Sequence, residues 1–275
     1  MTIQFCSFAS GSSGNCYLVK DDETAILIDA GISGKKILNN LEDTDTPREN
    51  VTALLVTHEH IDHVQSLPVL SKRLPNVSIY ANLSTWENIS RPVSDDKKRF
   101  FKTGEPFQIG NFTVKSFPVS HDAAEPVGFS IVQNDMQVSI LTDSGFISDE
   151  NLSEIAKADV LVLESNHEVN MLRAGRYPYH LQQRILSDKG HLSNDSCSEY
   201  LTKIVDLIDK PRQIILGHLS HENNYPSHAL LAAHNALSCS GTTTENKKDY
   251  VIGNNIQIRV AARDKRSEII AITRE

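Results

Sequence analysis

This sequence has little cysteine and no long apolar run. No stretch approaches the roughly 18 uncharged apolar residues that a membrane-spanning helix requires, so we expect no membrane span. The first residues lack a basic region followed by an apolar core, so we expect no signal peptide either. None of the four cysteines is spaced as C-x-x-C, which favours reduced, buried thiols in a cytoplasmic protein. A pairing of Cys6 with Cys16 in an oxidising compartment is the alternative.

The sequence also lacks an excess of positive charge. It has 27 lysines and arginines against 35 aspartates and glutamates, which gives a formal net charge of −8 at pH 7. A surface that is basic throughout is therefore excluded, and a polyanion would have to be held by local charge. The 275 residues contain no linker, low-complexity segment or exact repeat, and 39% of them are hydrophobic. We therefore expect a single domain over residues 1–275 with a packed core.

The most informative stretch is a histidine cluster that follows the apolar residues 51–56. That run predicts a buried strand, because it is short, β-branched and uncharged. Imidazole and carboxylate groups together suit zinc, manganese or iron. One tetrahedral ion could not use all four ligands at this spacing without strain, but two ions could, with His58 and His60 on one and Asp62 and His63 on the other. A histidine-rich surface loop is the alternative, which four metal-type ligands in this order disfavour.

Metal-type residues recur where other predicted strands end. His121 follows a strand predicted over residues 112–117, and Asp143 and His218 follow two further apolar runs. Strand ends in layered α/β folds lie along one edge, so we expect these side chains to converge with the histidine cluster. His221 is an alternative ligand to His218, but the strand end favours His218.

Two more strand ends carry candidate residues. Asp29 follows an apolar run and could either support a metal ligand or cap the helix predicted from Ser33. A glycine- and serine-rich loop before the second predicted strand offers bare backbone N–H groups and room for a ligand. We predict Ser12, Ser13 and Asn15 in this loop as substrate-binding residues, with a plain hairpin loop as the alternative.

The whole ligand set resembles that of the metallo-β-lactamase-fold hydrolases. The set is His58-x-His60-x-Asp62-His63, His121, Asp143 and His218. The resemblance covers nearly the whole chain and implies an α/β fold, a four-layer αβ/βα sandwich with the metals at one edge. It also implies the assignment of the ligands to the ions. The first ion would have His58, His60 and His121, the second Asp62, His63 and His218, and Asp143 would bridge them.

Shorter motifs resemble the YycJ/WalJ branch of that family. They are Ser10-Gly11-Ser12-Ser13-Gly14-Asn15, Glu164-Ser165-Asn166-His167, Gly190-His191-Leu192-Ser193-Asn194 and His218-Leu219-Ser220-x-Glu222-Asn223-Asn224. Members of that branch are cytoplasmic and are described as metal-dependent 5′-to-3′ DNA exonucleases. The resemblance therefore implies DNA as substrate and two divalent ions per chain, zinc or manganese, with iron as a further option. Within these motifs we predict His167 and Asn194 as substrate-binding residues, and a capping or supporting role is the alternative for His167.

The resemblance also predicts a mechanism. Two ions about 3.5–4 Å apart would share a hydroxide that attacks phosphorus. We predict Asp62 and His191 as catalytic residues. His191 would donate a proton or a hydrogen bond to the phosphate or the leaving oxygen, as the equivalent histidine does in tRNA 3′-processing relatives. A surface histidine at a helix N-terminus is the alternative. Three arginines could line a phosphate track, with a solvated helix face as the alternative; they are Arg173, Arg176 and Arg184.

Three functions compete at this point. The leading one is phosphodiester hydrolysis on DNA or RNA. The second is hydrolysis of a small thioester, lactam or cyclic phosphodiester. Only 75 positions separate Asp143 from His218, which leaves no room for the extra nucleic-acid clamp domain of larger nuclease relatives and favours this second function. The third is a non-catalytic metal-bound regulator, which the complete ligand set disfavours.

Overall fold

The structure is a computed structural model that describes residues 2–247, 250–253 and 255–274. Within these residues the strands are β1 (Thr2–Ala9), β2 (Cys16–Lys20), β3 (Ala25–Ile28), β4 (Val51–Leu55), β5 (Ser78–Ala81), β6 (Lys98–Phe100), β7 (Phe107–Ile109), β8 (Phe112–Pro118), β9 (Val127–Gln133), β10 (Met136–Leu141), β11 (Val160–Glu164), β12 (Arg212–Gly217), β13 (Thr244–Asn246), β14 (Tyr250–Gly253), β15 (Ile256–Val260) and β16 (Ile270–Thr273). The helices are α1 (Gly34–Asp43), α2 (Ile61–Val64), α3 (Leu67–Arg73), α4 (Leu83–Asn88), α5 (Asp149–Ile155), α6 (Val169–Ala174), α7 (Tyr179–Ile185), α8 (Asn194–Leu207) and α9 (Pro226–Cys239). No helix among the described residues is both long and apolar enough to cross a membrane.

Polar side chains fix the starts of several helices. Ser33, Ser148 and Ser193 each accept a hydrogen bond from a backbone N–H in the first turn of α1, α5 and α8. Asn82 does the same for α4, and Glu168 for α6. These caps satisfy donors that have no partner within the helix, which is why serine and asparagine mark helix starts in the sequence.

The chain forms two compact units. Unit 1 consists of Met1–Pro118, Ala123–Met136 and Ala262–Glu275, and unit 2 consists of Val119–Asp122 and Gln137–Ala261. The single domain predicted over residues 1–275 stays a prediction.

Unit 1 contains a seven-stranded sheet in the order β16-β1-β2-β3-β4-β5-β6. Strands β3 to β6 run parallel, and β16, β1, β2 and β3 pair antiparallel. The ends of β3 and β4 are adjacent, because Ile28 pairs with Leu55 and the N–H of Asp29 donates to the Leu55 carbonyl. Strands β7, β8 and β9 pair antiparallel in the same unit.

Unit 2 contains strands in the order β13-β14-β15-β12-β11-β10. Strands β10, β11, β12 and β15 run parallel. Every residue of β10 and β11 is buried, as expected for parallel strands with both faces covered. The register pairs Leu141 with Leu163 and Glu164 with Gly217, so the carboxyl ends of β10, β11 and β12 are neighbours. This edge is where three polar residues of the site lie.

The helix after the histidine cluster differs from the sequence prediction. The apolar spacing of Leu67, Leu70 and Leu74 predicts a helix from about Val64 to Arg73, but α3 begins only at Leu67, and a separate helix, α2, covers Ile61–Val64. The Ser66 N–H donates to the Ala30 carbonyl and its hydroxyl to the Ile32 carbonyl, so this residue contacts the segment after β3. The apolar face predicted for this helix is confirmed, since its three leucines are buried. Asp62 and His63 lie on α2, which the sequence did not predict.

Short polar elements also differ from the prediction. The polar segment after β11 contains α6 and α7, and the basic triplet near residue 98 contributes to strand β6. The polar sequence of residues 241–249 predicts a loop, but this stretch contains strand β13. Residues 248 and 249 lie outside the described residues. These elements were missed because α7 buries none of its residues, and β6 and β13 are three-residue strands with little buried surface. None of them has the apolar periodicity on which the prediction depends.

Candidate metal centre

The four ligands predicted from the histidine motif form one cluster in unit 1, called here the first cluster. His58 and His60 follow β4, and Asp62 and His63 lie on α2. The His58 ring centroid is 4.6 Å from that of His60 and 4.1 Å from that of His63. The His63 Nε2 atom lies 3.6 Å from Asp62 Oδ2. The short α2 helix therefore brings the second half of the motif back onto the first half.

Asp29 holds one histidine of the first cluster in place. Its Oδ2 atom lies 2.7 Å from His63 Nδ1, and Thr57 donates to the same carboxylate through its N–H and its hydroxyl. Asp29 and His63 are fully buried. A proton on Nδ1 directed at the carboxylate leaves Nε2 free of a proton and able to bind a metal, and a carboxylate behind a metal-binding histidine usually has this arrangement. Of the two roles predicted for Asp29, capping of α1 is wrong, because Ser33 caps that helix, and Asp29 instead contacts the predicted ligand His63.

The glycine- and serine-rich loop contacts the same cluster. The Asn15 N–H donates to the Asp62 carbonyl over 2.9 Å, and the Asn15 side-chain nitrogen lies 3.1 Å from His63 Nε2. Gly31 packs against the same carbonyl so closely that a Cβ atom there would lie 1.6 Å from the oxygen. Asn15 is buried, whereas Ser12 and Ser13 are exposed at the tip of the loop. The structure thus presents the two serines to solvent and uses Asn15 within the cluster.

Unit 2 contains a second cluster, made of His121, Asp143, Glu164, His191 and His218. Asp143, Glu164 and His218 lie at the carboxyl ends of β10, β11 and β12. The Asp143 Oδ1 atom lies 3.3 Å from His218 Nε2, 3.8 Å from His191 Nδ1 and 4.0 Å from His121 Nε2. The three ligands predicted after separate strands are therefore together. His221, the alternative ligand, is exposed beside Glu222.

His121 has one ring nitrogen directed at a backbone carbonyl. His121 Nδ1 lies 3.3 Å from the Gly190 carbonyl, which directs Nε2 toward the carboxylates. Burial lowers the pKa of His121, although Asp143 opposes the shift, so the ring is held in the neutral form that binds metals.

His191 forms a close pair with Glu164. The His191 Nδ1 atom lies 2.7 Å from Glu164 Oε1, and Glu164 Oε2 accepts the Ser144 N–H over 2.8 Å. Burial lowers the pKa of His191, but the carboxylates of Glu164 and Asp143 outweigh it and raise the pKa to about 9. No role is predicted for Glu164 from the sequence. The available signal was a single acidic residue at the end of an otherwise apolar strand, the same signal that identified Asp143.

Strained backbone marks three residues of the two clusters. Asp29, Asp143 and His218 have φ values of +60°, +58° and +54°, and each lies at or just after a strand end. Non-glycine residues adopt this left-handed conformation at a cost, and such strain concentrates at functional sites. The conformation turns each side chain away from its strand direction.

The two remaining predicted residues lie beside the second cluster. Asn194 is buried, accepts the Ser165 hydroxyl over 2.7 Å and exchanges side-chain hydrogen bonds with Asn224. His167 is also buried, and neither of its ring nitrogens has a hydrogen-bond partner among the described residues. Burial lowers the pKa of His167 to about 4, against the opposing effect of Glu164.

The donor groups fit divalent metal ions. In the second cluster, one potential ligand atom from each of Asp143, Glu164, His191 and His218 lies within 4.8 Å of the others. A bound cation would compensate the charge of these buried carboxylates, and this nitrogen and oxygen donor set is that of zinc, manganese and iron.

Comparison with known proteins gives relatives over most of the chain. Exodeoxyribonuclease YycJ of Bacillus anthracis is 38% identical over 244 residues, which cover 88% of this chain and 91% of that protein. Exodeoxyribonuclease WalJ of Streptococcus pneumoniae is 37% identical over 240 residues, which cover 86% of this chain and 88% of WalJ. Among solved structures, the metallo-β-lactamase fold protein YhfI of Bacillus subtilis has a TM-score of 0.71 at 15% identity and covers 98% of this chain and 99% of YhfI.

The family itself is shown by a match to the β-lactamase superfamily domain over residues 24–219. This match and the likeness to YhfI confirm the predicted fold class, an α/β four-layer αβ/βα sandwich. The fold implies divalent metal binding, in agreement with the donor groups of both clusters. The chain therefore belongs to the β-lactamase superfamily, in the YycJ/WalJ branch of the metallo-β-lactamase-fold hydrolases.

Proposed function

We propose that this hydrolase is a metal-dependent phosphodiesterase that acts on DNA as an exonuclease in the 5′-to-3′ direction. The observation that carries the proposal is the His191–Glu164 pair beside Asp143, because it supplies a proton donor next to a predicted metal ligand. The substrate class is supported by two relatives named exodeoxyribonuclease at 37–38% identity over most of the chain. The direction of cleavage follows from the resemblance to their branch alone.

We further propose that seven residues are the metal ligands and that they hold two divalent ions, zinc or manganese, with iron as a further option. The seven are His58, His60, Asp62, His63, His121, Asp143 and His218. When bound, such ions supply Lewis acidity toward a phosphate and lower the pKa of a coordinated water.

The residues of the chain perform the remaining chemistry. Glu164 accepts from Nδ1 of His191, so Nε2 of the same ring can hold a proton for the leaving oxygen. Asp62 is less buried than His63, with a side chain 21% exposed, and its Oδ2 atom can accept a proton from the attacking water. These are the catalytic roles that we propose for His191 and Asp62.

Substrate contacts and location complete the proposal. The exposed Ser12 and Ser13 can donate hydrogen bonds to a phosphate. Asn15, His167 and Asn194 are buried, and a substrate group would have to reach their amide or imidazole nitrogens. The cytoplasm is the proposed location, as the scattered cysteines favour.

Cleavage of labelled oligonucleotides tests the function. Purified protein is reloaded with zinc or manganese and given single-stranded and duplex DNA labelled at the 5′ or the 3′ end. We expect metal-dependent release of mononucleotides from the 5′ end by the wild type and none by Asp143→Asn, which keeps a residue that tolerates positive φ.

The same assay defines the contradicting results. Intact oligonucleotides after reloading with each metal would refute the nuclease proposal. The short interval between Asp143 and His218 favours a small substrate as the second candidate, so a panel of thioesters, lactams and cyclic phosphodiesters runs in parallel. Turnover of a panel member with DNA left intact would establish that second candidate.

A further inference from the structure

One segment of unit 2 is basic in an otherwise acidic chain. Residues 169–190 contain four basic side chains and one acidic side chain, a formal charge of +3, whereas the whole chain carries −8. The basic side chains are Arg173, Arg176, Arg184 and Lys189, and all four are exposed. The segment contains α6 and α7. It is therefore a local site of positive potential, which a polyanion requires on this chain.

The carboxyl end of α7 is attached to the second cluster. Arg184 donates through Nε to Asp122, and Asp122 Oδ1 lies 3.4 Å from His121 Nε2. The His191 N–H donates to the Ile185 carbonyl over 3.0 Å. The carboxyl end of α7 is therefore linked to His121 through Asp122 and to His191 directly. A group bound at this end of α7 would lie close to both histidines.

Helix α7 exposes an aromatic ring at its start and a guanidinium group near its end. Tyr179 is 75% exposed, which is the highest value among the large hydrophobic side chains of the described residues. Arg184 is 53% exposed despite its contact with Asp122, so its two Nη groups can bind a further anion. Because α7 buries none of its residues, packing in the core does not explain why Tyr179 and Arg184 occur on this helix.

The two exposed side chains lie on different sides of α7. Tyr179 and Arg184 are five residues apart, which is about 7.5 Å along a helix and about 140° around it at 3.6 residues per turn. A strand that contacts both side chains therefore has to cross the helix obliquely. Exposed aromatic rings and arginines are the groups that proteins use to hold single strands.

We propose that α7 is a binding surface for single-stranded DNA. The Arg184 guanidinium binds a backbone phosphate, Tyr179 stacks on a base of the same strand, and Arg173 and Arg176 add positive potential. This inference rests on the proposed function, because it names where the substrate strand of that site lies.

Binding of a non-cleavable strand tests the inference without turnover. The probe is a fluorescein-labelled phosphorothioate oligothymidylate, and the readout is fluorescence anisotropy of the metal-loaded protein. Loss of a stacking contact weakens binding by roughly 5- to 150-fold, so we expect Tyr179→Ala to raise Kd within this range. Tyr179→Phe keeps the ring and should bind like the wild type. Phe100→Ala removes another exposed aromatic ring, on β6 of unit 1, and is the matched control.

The salt dependence of Kd tests the phosphate contact. Each phosphate contact to a single strand contributes about 0.7 to the slope of log K against log salt, so Arg184→Gln should lower the slope by about this amount. Arg91→Gln, which removes the same charge from an exposed residue of unit 1, should leave the slope unchanged. An unchanged slope in Arg184→Gln overturns the phosphate assignment.

The remaining outcomes separate this inference from the proposed function. Equal Kd values for Tyr179→Ala and Phe100→Ala, equal affinity for duplex and single strands, or no binding by the wild type would each overturn the α7 surface. Inactivity of the wild type toward every phosphodiester would overturn the proposed function, and the anisotropy series would still decide whether α7 binds DNA.

Discussion

The Oδ2 atom of Asp29 lies 2.7 Å from Nδ1 of His63, and both residues are fully buried. Asp29 also accepts the N–H and the hydroxyl of Thr57, the residue that precedes the histidine motif. The carboxylate therefore fixes the ring orientation of one predicted ligand together with the backbone at the start of the motif. Asp29 and Thr57 follow the adjacent parallel strands β3 and β4, whereas His63 lies on α2.

Asp29→Asn should weaken metal binding about 10- to 100-fold, as loss of a carboxylate behind a ligand histidine typically does. The amide can present an N–H to His63 Nδ1, which disfavours the tautomer with Nε2 as ligand atom. Competition with a fluorescent chelator measures the affinity.

Asp45→Asn is the matched control for that change. Asp45 also has positive φ, but it is exposed in the turn after α1, where its carbonyl accepts a hydrogen bond from the Lys20 side chain. It should bind metal like the wild type. Equal affinities in the two variants would contradict a supporting role of Asp29.

Gly31→Ala should destabilise unit 1 and reduce metal binding together. Its Cβ atom would lie 1.6 Å from the Asp62 carbonyl oxygen, so α2 would have to move. Overpacking of this kind costs about 1–3 kcal/mol or more, and the displacement would shift Asp62 and His63. Urea unfolding measures the free energy of unfolding, and metal analysis measures the bound ions.

Gly104→Ala provides the comparison for that prediction. Nothing lies within 4 Å of a Cβ atom at Gly104, but its φ is +86°. Only backbone strain opposes the substitution, so we expect a loss of about 1–2 kcal/mol with metal content unchanged. Full metal content in Gly31→Ala would show that the close packing at Asp62 is dispensable.

The strand ends of the site could be predicted from the sequence because they follow buried, uncharged runs. Such runs precede His58, Asp143 and His218, and the structure has β4, β10 and β12 there. A parallel sheet with both faces covered needs continuous apolar strands, so the pattern and the topology have the same physical origin. The polar residues that follow these strands can therefore be identified from the sequence alone.

Other parts of the site could not be predicted in this way. Glu164 is bound to His191 by a contact between residues 27 positions apart, and sequence spacing contains no information on such a pair. Helix α7 buries no residue and therefore has no apolar stripe. Helices α2 and α3 are separate elements, and Ser66, which lies between them, donates hydrogen bonds to the segment after β3. The sequence spacing contains no information on these contacts.

His191→Gln should lower kcat for DNA cleavage about 10²- to 10⁴-fold, the usual contribution of a positioned proton donor, with metal content unchanged. Glu164→Gln should lower kcat as well, because the carboxylate that orients the ring is lost. Residues that act as a unit have non-additive effects, so the double variant should be no slower than the slower single variant. Single-turnover cleavage of labelled DNA gives the rates.

His228→Gln removes an exposed histidine of unit 2 and should leave kcat unchanged. Multiplicative losses in the His191→Gln, Glu164→Gln double variant would show that the two residues act independently, in conflict with the 2.7 Å contact between them.

His167→Leu should raise the free energy of unfolding. Neither ring nitrogen of the buried His167 has a hydrogen-bond partner among the described residues, and each unsatisfied buried group costs about 1–3 kcal/mol. His234→Leu is the control, because His234 Nδ1 lies 2.6 Å from Thr244 Oγ1 and its removal should lower stability. Urea unfolding of metal-free protein in EDTA measures both.

The pH dependence of that stability difference has a definite sign. Burial, opposed by Glu164, lowers the pKa of His167 to about 4 from its ordinary value of 6.5, so below pH 6.5 the unfolded chain takes up a proton that the folded chain does not. The wild type therefore loses stability as the pH falls from 6.5 to 4, by about 3 kcal/mol at 1.36 kcal/mol per pKa unit. His167→Leu lacks this loss, so its advantage over the wild type should grow by that amount across the interval. An advantage that stays constant from pH 7 to pH 4 would mean that the imidazole accepts its proton in the folded protein. In that case the lowered pKa of His167 would be wrong.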